Sequence, residues 1–415
     1  MKLLYNLFLQ LPLILILIYP VGSVYSAGED NSGIVTKLKN FGFENIVILI
    51  ENDACTISYE NRIFRDEIEA IEKILELTAD DFSEYNKLIL VPRNLILPIC
   101  TIEFELEKYF AFLSREIPRD VFIESVNYSL DTDTISKELK KIERENKSEL
   151  KTDILIYPSI KTRHGDYEKL LQVQAGLNPT VHTTLSRGIS IFAQAIIPVY
   201  DNLIDDSNFI RPGILAFNSL FRLPSNIFMS TTVGQFANVD RYGIKYEHRY
   251  GIDWEIKKYF ANGIWALGVN MGYTGESSYK DQIWKFMTMN TFTYFINAGY
   301  RIEKYNLRIA AKYGQYIYED NSLRLDVSRQ FGEVEIGFYT ILSEDMKNGG
   351  FNLSIPLFPS KYYNSVVRVL PPKYFRYEYR AKRLPRQGHM YETGYDVDDF
   401  FKLLTQDYVK NYLFR

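Results

Sequence analysis

Between residues 168 and 358 the chain alternates apolar and polar residues with period two, again and again. In Ile264–Tyr273, Trp265, Leu267, Val269, Met271 and Tyr273 share one face, and Ala266, Gly268, Asn270 and Gly272 share the other. Leu323, Leu325, Val327 and Phe331 oppose Arg324, Asp326, Ser328 and Gln330. Val334, Ile336 and Phe338 oppose Glu335, Gly337 and Tyr339, and Leu307, Ile309, Ala311 and Tyr313 oppose Arg308, Ala310, Lys312 and Gly314. Ile189–Val199 and Tyr242–Tyr250 repeat the pattern. Period two is the signature of a strand with two unlike faces. Turn-rich breaks such as Asp201–Ser207, Asn238–Asp240, Gly275–Asp281 and Glu344–Gly350 separate these runs. About ten to twelve strands result, most near the length that crosses a bilayer at a tilt. Strands of that kind leave no open edge in lipid and must close.

A soluble sandwich or barrel also alternates. Three features favour a membrane barrel. The polar faces carry many glycines and charges, as a wet lumen would. Tyr and Phe, 32 and 27 of the 415 residues, recur near strand ends, where interfacial aromatic girdles sit. The third is the N-terminus. Residues 1–27 have Lys2, an apolar run from Leu11 to Ile18, the breakers Pro20 and Gly22, and then small residues. That is the layout of a secretory signal peptide, with cleavage fitting after Ser23, Ser26 or Ala27. The last of the alternating runs, Asn348–Ile355, resembles a terminal barrel strand and places closure near Phe358, leaving 359–415 as a Tyr- and Arg-rich periplasmic tail.

Residues 33–160 read differently. Asn45–Glu51 and Cys55–Tyr59 are predicted strands, followed by a helix over Phe64–Leu77 with Ile68, Ile71 and Leu75 on one face. Lys87–Val91 and Ile96–Phe104 are a second pair of strands, and Glu105–Leu113 a second helix. Cys55-Thr56-Ile57 and Cys100-Thr101-Ile102 fall at the same place in each round, which suggests a strand–strand–helix repeat. Two readings of the cysteines stay open: a Cys55–Cys100 disulfide in an oxidising compartment, or two reduced thiols packed as small hydrophobes. Ser136–Lys151 is expected to be a charge-rich solvated helix, and Thr152–Ile160 a strand that ends this α+β domain.

The formal net charge of -4 excludes a strongly basic nucleic-acid surface. No G-x-S-x-G, H-E-x-x-H, P-loop or G-x-G-x-x-G occurs. His164, His182, His248 and His389 show no ligand spacing. The adjacent pairs Asp205-Asp206 and Asp398-Asp399 point to opposite faces if extended, and read as turn or tail charge rather than a glycosidase dyad. The chain is therefore not expected to be an enzyme, and no cofactor or metal is implied. The candidate functional residues are those on the polar faces: Lys245, Glu247, Arg249, Arg308, Lys312, Arg324, Asp326 and Glu335. Charges inside a barrel either pair to plug it or line a path for solute. Parity also turns Phe295, Tyr316 and Tyr339 inward, where aromatic rings could stack on sugars.

The order of segments resembles the YjbH-type exopolysaccharide-biosynthesis family of bacterial outer-membrane proteins, which includes proteins of capsule operons. The resemblance rests on Ile57–Ala70 (ISYENRIFRDEIEA), on Asp153–Leu203, on Gly213–Tyr250, and on Phe351–Ser360 with RYEYR and YETGYDVDDF downstream. It implies an outer-membrane barrel with a periplasmic α/β part, linked to synthesis or export of an exopolysaccharide. The expected partners are outer-membrane lipid, the polysaccharide and periplasmic export proteins. The rival readings are a general diffusion porin, a structural outer-membrane anchor whose periplasmic domain binds a partner, and a barrel-borne hydrolase.

Overall fold

A computed structural model describes residues 32–51, 53–82, 85–164, 171–202, 208–238, 248–344, 346–381 and 387–415. The expected signal peptide, Asp205, Asp206, Lys245 and Glu247 lie outside them. Strands hold 57 % of the described residues and helices 18 %, so the fold is mainly β. The strands form two sheets.

The smaller sheet contains β1 (Glu44–Glu51), β2 (Ala54–Glu60), β3 (Lys87–Asn94), β4 (Leu97–Pro98), β5 (Thr101–Glu105) and β6 (Asn127–Ser129). The order is β1-β2-β3-β5-β6, with β4 paired to β3. β2 and β3 run parallel, so the helix Glu67–Thr78 is a crossover between them. It begins at Glu67 rather than Phe64 because Asp66 stays extended and caps it, accepting a hydrogen bond from the Ile68 amide. Ile68, Ile71, Ile74 and Leu75 are buried on the sheet. The second helix, Leu106–Leu113, follows β5, so hairpin-then-helix occurs twice in succession. The predicted helix over 136–151 is corrected. It spans Asp133–Leu139, and the chain beyond turns back, with Glu145 and Ile46 exchanging backbone hydrogen bonds. Asn146 sits at φ 50°, which ends any helix, and Arg144 donates to the Asn45 side chain.

The disulfide reading is also corrected: Cys55 and Cys100 are both buried, free thiols. β3 lies between β2 and β5. Cys55 on β2 is level with Phe104 of β5, and Cys100 lies just before β5, so at about 4.8 Å per strand the two cysteines stand at least two spacings apart, beyond the reach of an unstrained disulfide. Burial pushes both thiols up to about 12. Neither thiol should react with iodoacetamide in the native protein, and both should react in denaturant. Resistance in denaturant that reductant relieves would show that they are paired.

The larger sheet contains β7 (Thr152–His164), β8 (Leu171–Ser186), β9 (Ile189–Asp201), β10 (Arg211–Leu223), β11 (Ile227–Asn238), β12 (His248–Phe260), β13 (Trp265–Lys280), β14 (Ile283–Phe286), β15 (Thr291–Ile302), β16 (Leu307–Gln315), β17 (Asn321–Phe331), β18 (Val334–Ser343), β19 (Lys347–Pro356), β20 (Val367–Leu370), β21 (Tyr374–Arg380) and β22 (Tyr391–Glu392). From β7 to β19 each long strand pairs antiparallel with the next, with β14 a short extension beside β13. The sheet extends past the expected 168–358 at both ends. β7 pairs with β8 along its whole length, and β21 pairs with β19 beyond Phe358. β20 pairs parallel with the start of β7. One run of chain, 367–380, therefore holds both edges of the sheet.

The two faces of this sheet are unlike, as the alternation requires. Trp265, Leu267, Val269, Met271 and Tyr273 are 37–53 % exposed, whereas Ala266 between them is buried. Ile309, Tyr313, Leu325, Val327, Ile336 and Phe338 are likewise exposed on neighbouring strands. Exposed aromatics gather toward the two strand ends: Phe260, Trp265, Tyr300, Tyr305 and Phe331 at one, Tyr273, Phe292, Tyr294 and Tyr313 at the other.

The small sheet sits against the turns at the first of these ends. Arg65 grips Glu333, in the β17–β18 turn, through two hydrogen bonds of 2.6 Å. Arg222 of β10 donates to the carbonyls of Pro98 and Ile99. Gly188 in the β8–β9 turn donates its amide to Leu95. A Cβ at Gly188 would lie 2.0 Å from the Leu220 carbonyl oxygen, so this approach needs glycine.

Candidate functional site: the polar interior of the large sheet

The charged face of the large sheet surrounds a cavity of about 1150 Å³ that the small domain floors. Of the described candidates, Arg308, Lys312, Arg324, Asp326 and Glu335 line it. Arg249 does not. It is buried within the wall, where Nε donates to Thr274 Oγ1 at 2.9 Å and the guanidinium lies 3.7 Å from Glu276. Arg324 pairs with Asp326 and Glu378 and lies 4.1 Å over the Tyr339 ring. Lys312 lies 4.1 Å over the Phe295 ring, which packs edge-on against Tyr316 at 4.7 Å. All three rings predicted to point inward are buried.

The interior is not empty. After β21 the chain returns and crosses it, which corrects the expected periplasmic tail over 359–415. Tyr391 and Glu392 pair with the end of β11, and Tyr391 Oη donates to Asp253 of β12 at 2.8 Å. A Cβ at Gly272 would meet that hydroxyl at 1.8 Å, so this interior glycine makes room for the crossing chain. Further along, Asp398 takes Lys257 Nζ at 2.7 Å, the Arg308 guanidinium, and the Tyr259 hydroxyl at 2.8 Å. Asp399 is held by Arg376 of β21, and Lys402 pairs with Glu335 of β18. Phe401 then packs on Phe228, near the start of β11, with rings 4.7 Å apart. The segment has passed from one end of β11 to the other, touching strands from β10 round to β21 on its way.

Its end is built into the small domain. Phe400, Phe401, Leu404, Tyr408, Val409 and Leu413 join the core that contains Phe104 and Phe122. Tyr408 Oη donates to Asp66 at 2.8 Å, and Arg119 donates to the Leu413 carbonyl. The segment is thus a strap, hydrophobic where it ends and ionic where it crosses. The pair Asp398-Asp399 is neither a dyad nor loose charge. Among the described residues, no group of three or more His, Cys, Asp or Glu stands close enough to hold a metal.

On the floor of the cavity, Arg62 bridges Glu44 of β1 and Asp153 of β7, and Arg368 of β20 also grips Asp153 at 2.7 Å. Glu67 faces the cavity and accepts from Asn61 at 3.1 Å, while its other oxygen has no partner. Burial raises its carboxyl to about 7. A carboxyl whose folded value lies above its unfolded one favours the folded state at low pH. That stability is lost as pH rises from the unfolded value near 4.5 to about 7. Glu67→Gln should therefore flatten part of the decline in melting temperature between these values and stabilise the protein at pH 8. An unchanged pH profile would show that Glu67 is solvated.

A family model described as exopolysaccharide biosynthesis protein YbjH matches residues 23–359, most of the chain. No curated protein matches it. The matched span runs from the small domain through β19 and stops before the strap. By this match, the chain belongs to the YjbH exopolysaccharide-biosynthesis family.

Proposed function

We propose that the large sheet is an outer-membrane β-barrel and that the protein assists export or assembly of an exopolysaccharide. One observation carries the membrane part: the sheet is apolar outside and charged inside. A water-soluble sheet buries its apolar face, and an exposed apolar band this wide on a monomer marks contact with a protein or a membrane. The two rows of exposed aromatics suit the two lipid–water interfaces. The family match supports the polysaccharide part. In this reading the small domain and the helix Gln406–Tyr412 face the periplasm, and β20 with β21 completes the wall.

Deleting the gene in its native host should abolish or sharply reduce secreted polysaccharide, and unchanged polysaccharide would contradict the reading. A general diffusion porin fits less well. The strap crosses the interior and engages Lys257, Arg308 and Arg376, so the wild-type protein should conduct little in planar bilayers. A wide, ohmic conductance from the intact protein would favour the porin instead.

A further inference from the structure

The wall has one place where its construction changes. β7 pairs with β20 only over Thr152–Leu155. Above Leu155, no described strand pairs with β7 on that side, while β8 pairs with it along its whole length. β21, which continues β20 after residues 371–373, pairs with β19 alone. Beyond that pairing, a hydrogen bond between hydroxyls, Thr162 Oγ1 to Tyr377 Oη at 3.0 Å, links β7 to β21. Both residues have the outward parity of their strands, since Arg376 and Glu378, on either side of Tyr377, line the interior.

The cavity records the same break. In a closed wall only alternate residues of a strand face inward. Asp153, Leu155 and Tyr157 obey this rule below the break. From Tyr157 to Lys161 every residue lines the cavity, including Pro158 and Ile160, whose parity is outward, whereas on the paired strands β15 and β16 such runs are of three, Asn297–Gly299 and Ala310–Lys312. Ile160 is also 46 % exposed. This run, the longest on any strand from β7 to β19, begins where the parallel pairing stops.

An antiparallel wall with an odd number of strands must close with its first and last strands parallel. Counting β20 and β21 as one, the wall has thirteen among the described residues. Parallel pairs are somewhat weaker per residue, and this one is formed for only part of its length. Unpaired backbone facing lipid is costly, so the open half needs something to cover it.

Resting on the barrel reading above, we propose that this seam is a lateral portal: the wall parts between β7 and β21 to pass an amphipathic glycan between interior and bilayer. Its sugar would lie against the polar interior, and its acyl anchor would leave through the seam. A wholly polar polymer has no use for a path that joins the interior to the apolar exterior, whereas a molecule with one part suited to each does.

The test stitches the seam after the full-length protein has assembled. Thr162→Cys with Tyr377→Cys is bridged on cells by a short bis-maleimide. Ile309→Cys with Val327→Cys, outward positions paired directly across β16 and β17, is the control. Stitching the seam should lower secreted polysaccharide several-fold, while the control stitch and monofunctional maleimide on either seam cysteine leave it unchanged. Equal secretion from the stitched seam and the stitched control overturns the portal. Normal secretion from a strain lacking the gene overturns the export reading instead, so the two failures are distinct. A photo-crosslinking residue at Ile160 should capture polysaccharide that carries an acyl chain, and adducts without sugar overturn the substrate class.

Discussion

Asp398→Ala is expected to loosen the strap and destabilise the protein by about 3–5 kcal/mol, the cost of breaking a buried ion pair by removing one partner. Asp398 neutralises both Lys257 and Arg308, and Lys257 is the more enclosed, with its side chain 7 % exposed. Water in the interior should place the loss toward the lower end of that range. The substitution should lower the melting temperature and raise conductance in planar bilayers, because the strap loses its central ionic contact. Adding Arg308→Met should recover part of the stability by removing the stranded cation, while Lys257 keeps Glu255 at 3.6 Å. Asp399→Ala is the comparison. Its pair with Arg376 is half-exposed, and such pairs contribute about 1 kcal/mol or less. If Asp398→Ala unfolds and conducts as the wild type does, the strap is not held by this cluster.

Val269→Arg should cost about 2–4 kcal/mol in a bilayer, the depth-dependent penalty of a cation on the lipid face of a barrel near its midplane. Val269 lies on β13 midway between the exposed aromatics Trp265 and Tyr273 and is itself 42 % exposed. In a water-soluble sheet the same substitution at an exposed site would be nearly neutral, within about 0.5 kcal/mol. Urea unfolding from lipid vesicles measures the difference. A neutral result would mean that this face meets water or another protein.

The outward and inward faces of β13, β16, β17 and β18 were legible because period two is a local signal that any solvent inversion must obey. The inward rings Phe295, Tyr316 and Tyr339 followed from the same parity. Arg249 shows the limit of that reasoning, since parity gives the face but not whether a side chain reaches the cavity or is absorbed by a neighbour. β7 was assigned to the wrong sheet because TDILIYPSI is nearly continuous in apolar residues and reads as a buried strand. The strap was missed for a different reason. Asp398, Asp399 and Lys402 look like solvated charge in isolation, and their partners lie at least 23 residues away in the chain. One signal was present: the apolar residues Phe400, Phe401, Leu403, Leu404 and Tyr408 call for a core that a free tail does not have. A charge run suits a helix over 136–151, but Asn146, with its left-handed backbone and a side-chain bond to the Phe43 carbonyl, fastens that stretch beside the start of β1.

The most direct test of the barrel is fractionation of cells expressing the full chain, with the outer-membrane fraction run on SDS gels unheated and boiled. A closed barrel held by strand-to-strand hydrogen bonds resists SDS until heated. The account predicts a band in the outer-membrane fraction that migrates differently after boiling. A protein recovered in the soluble periplasmic fraction, with one mobility before and after boiling, would contradict it.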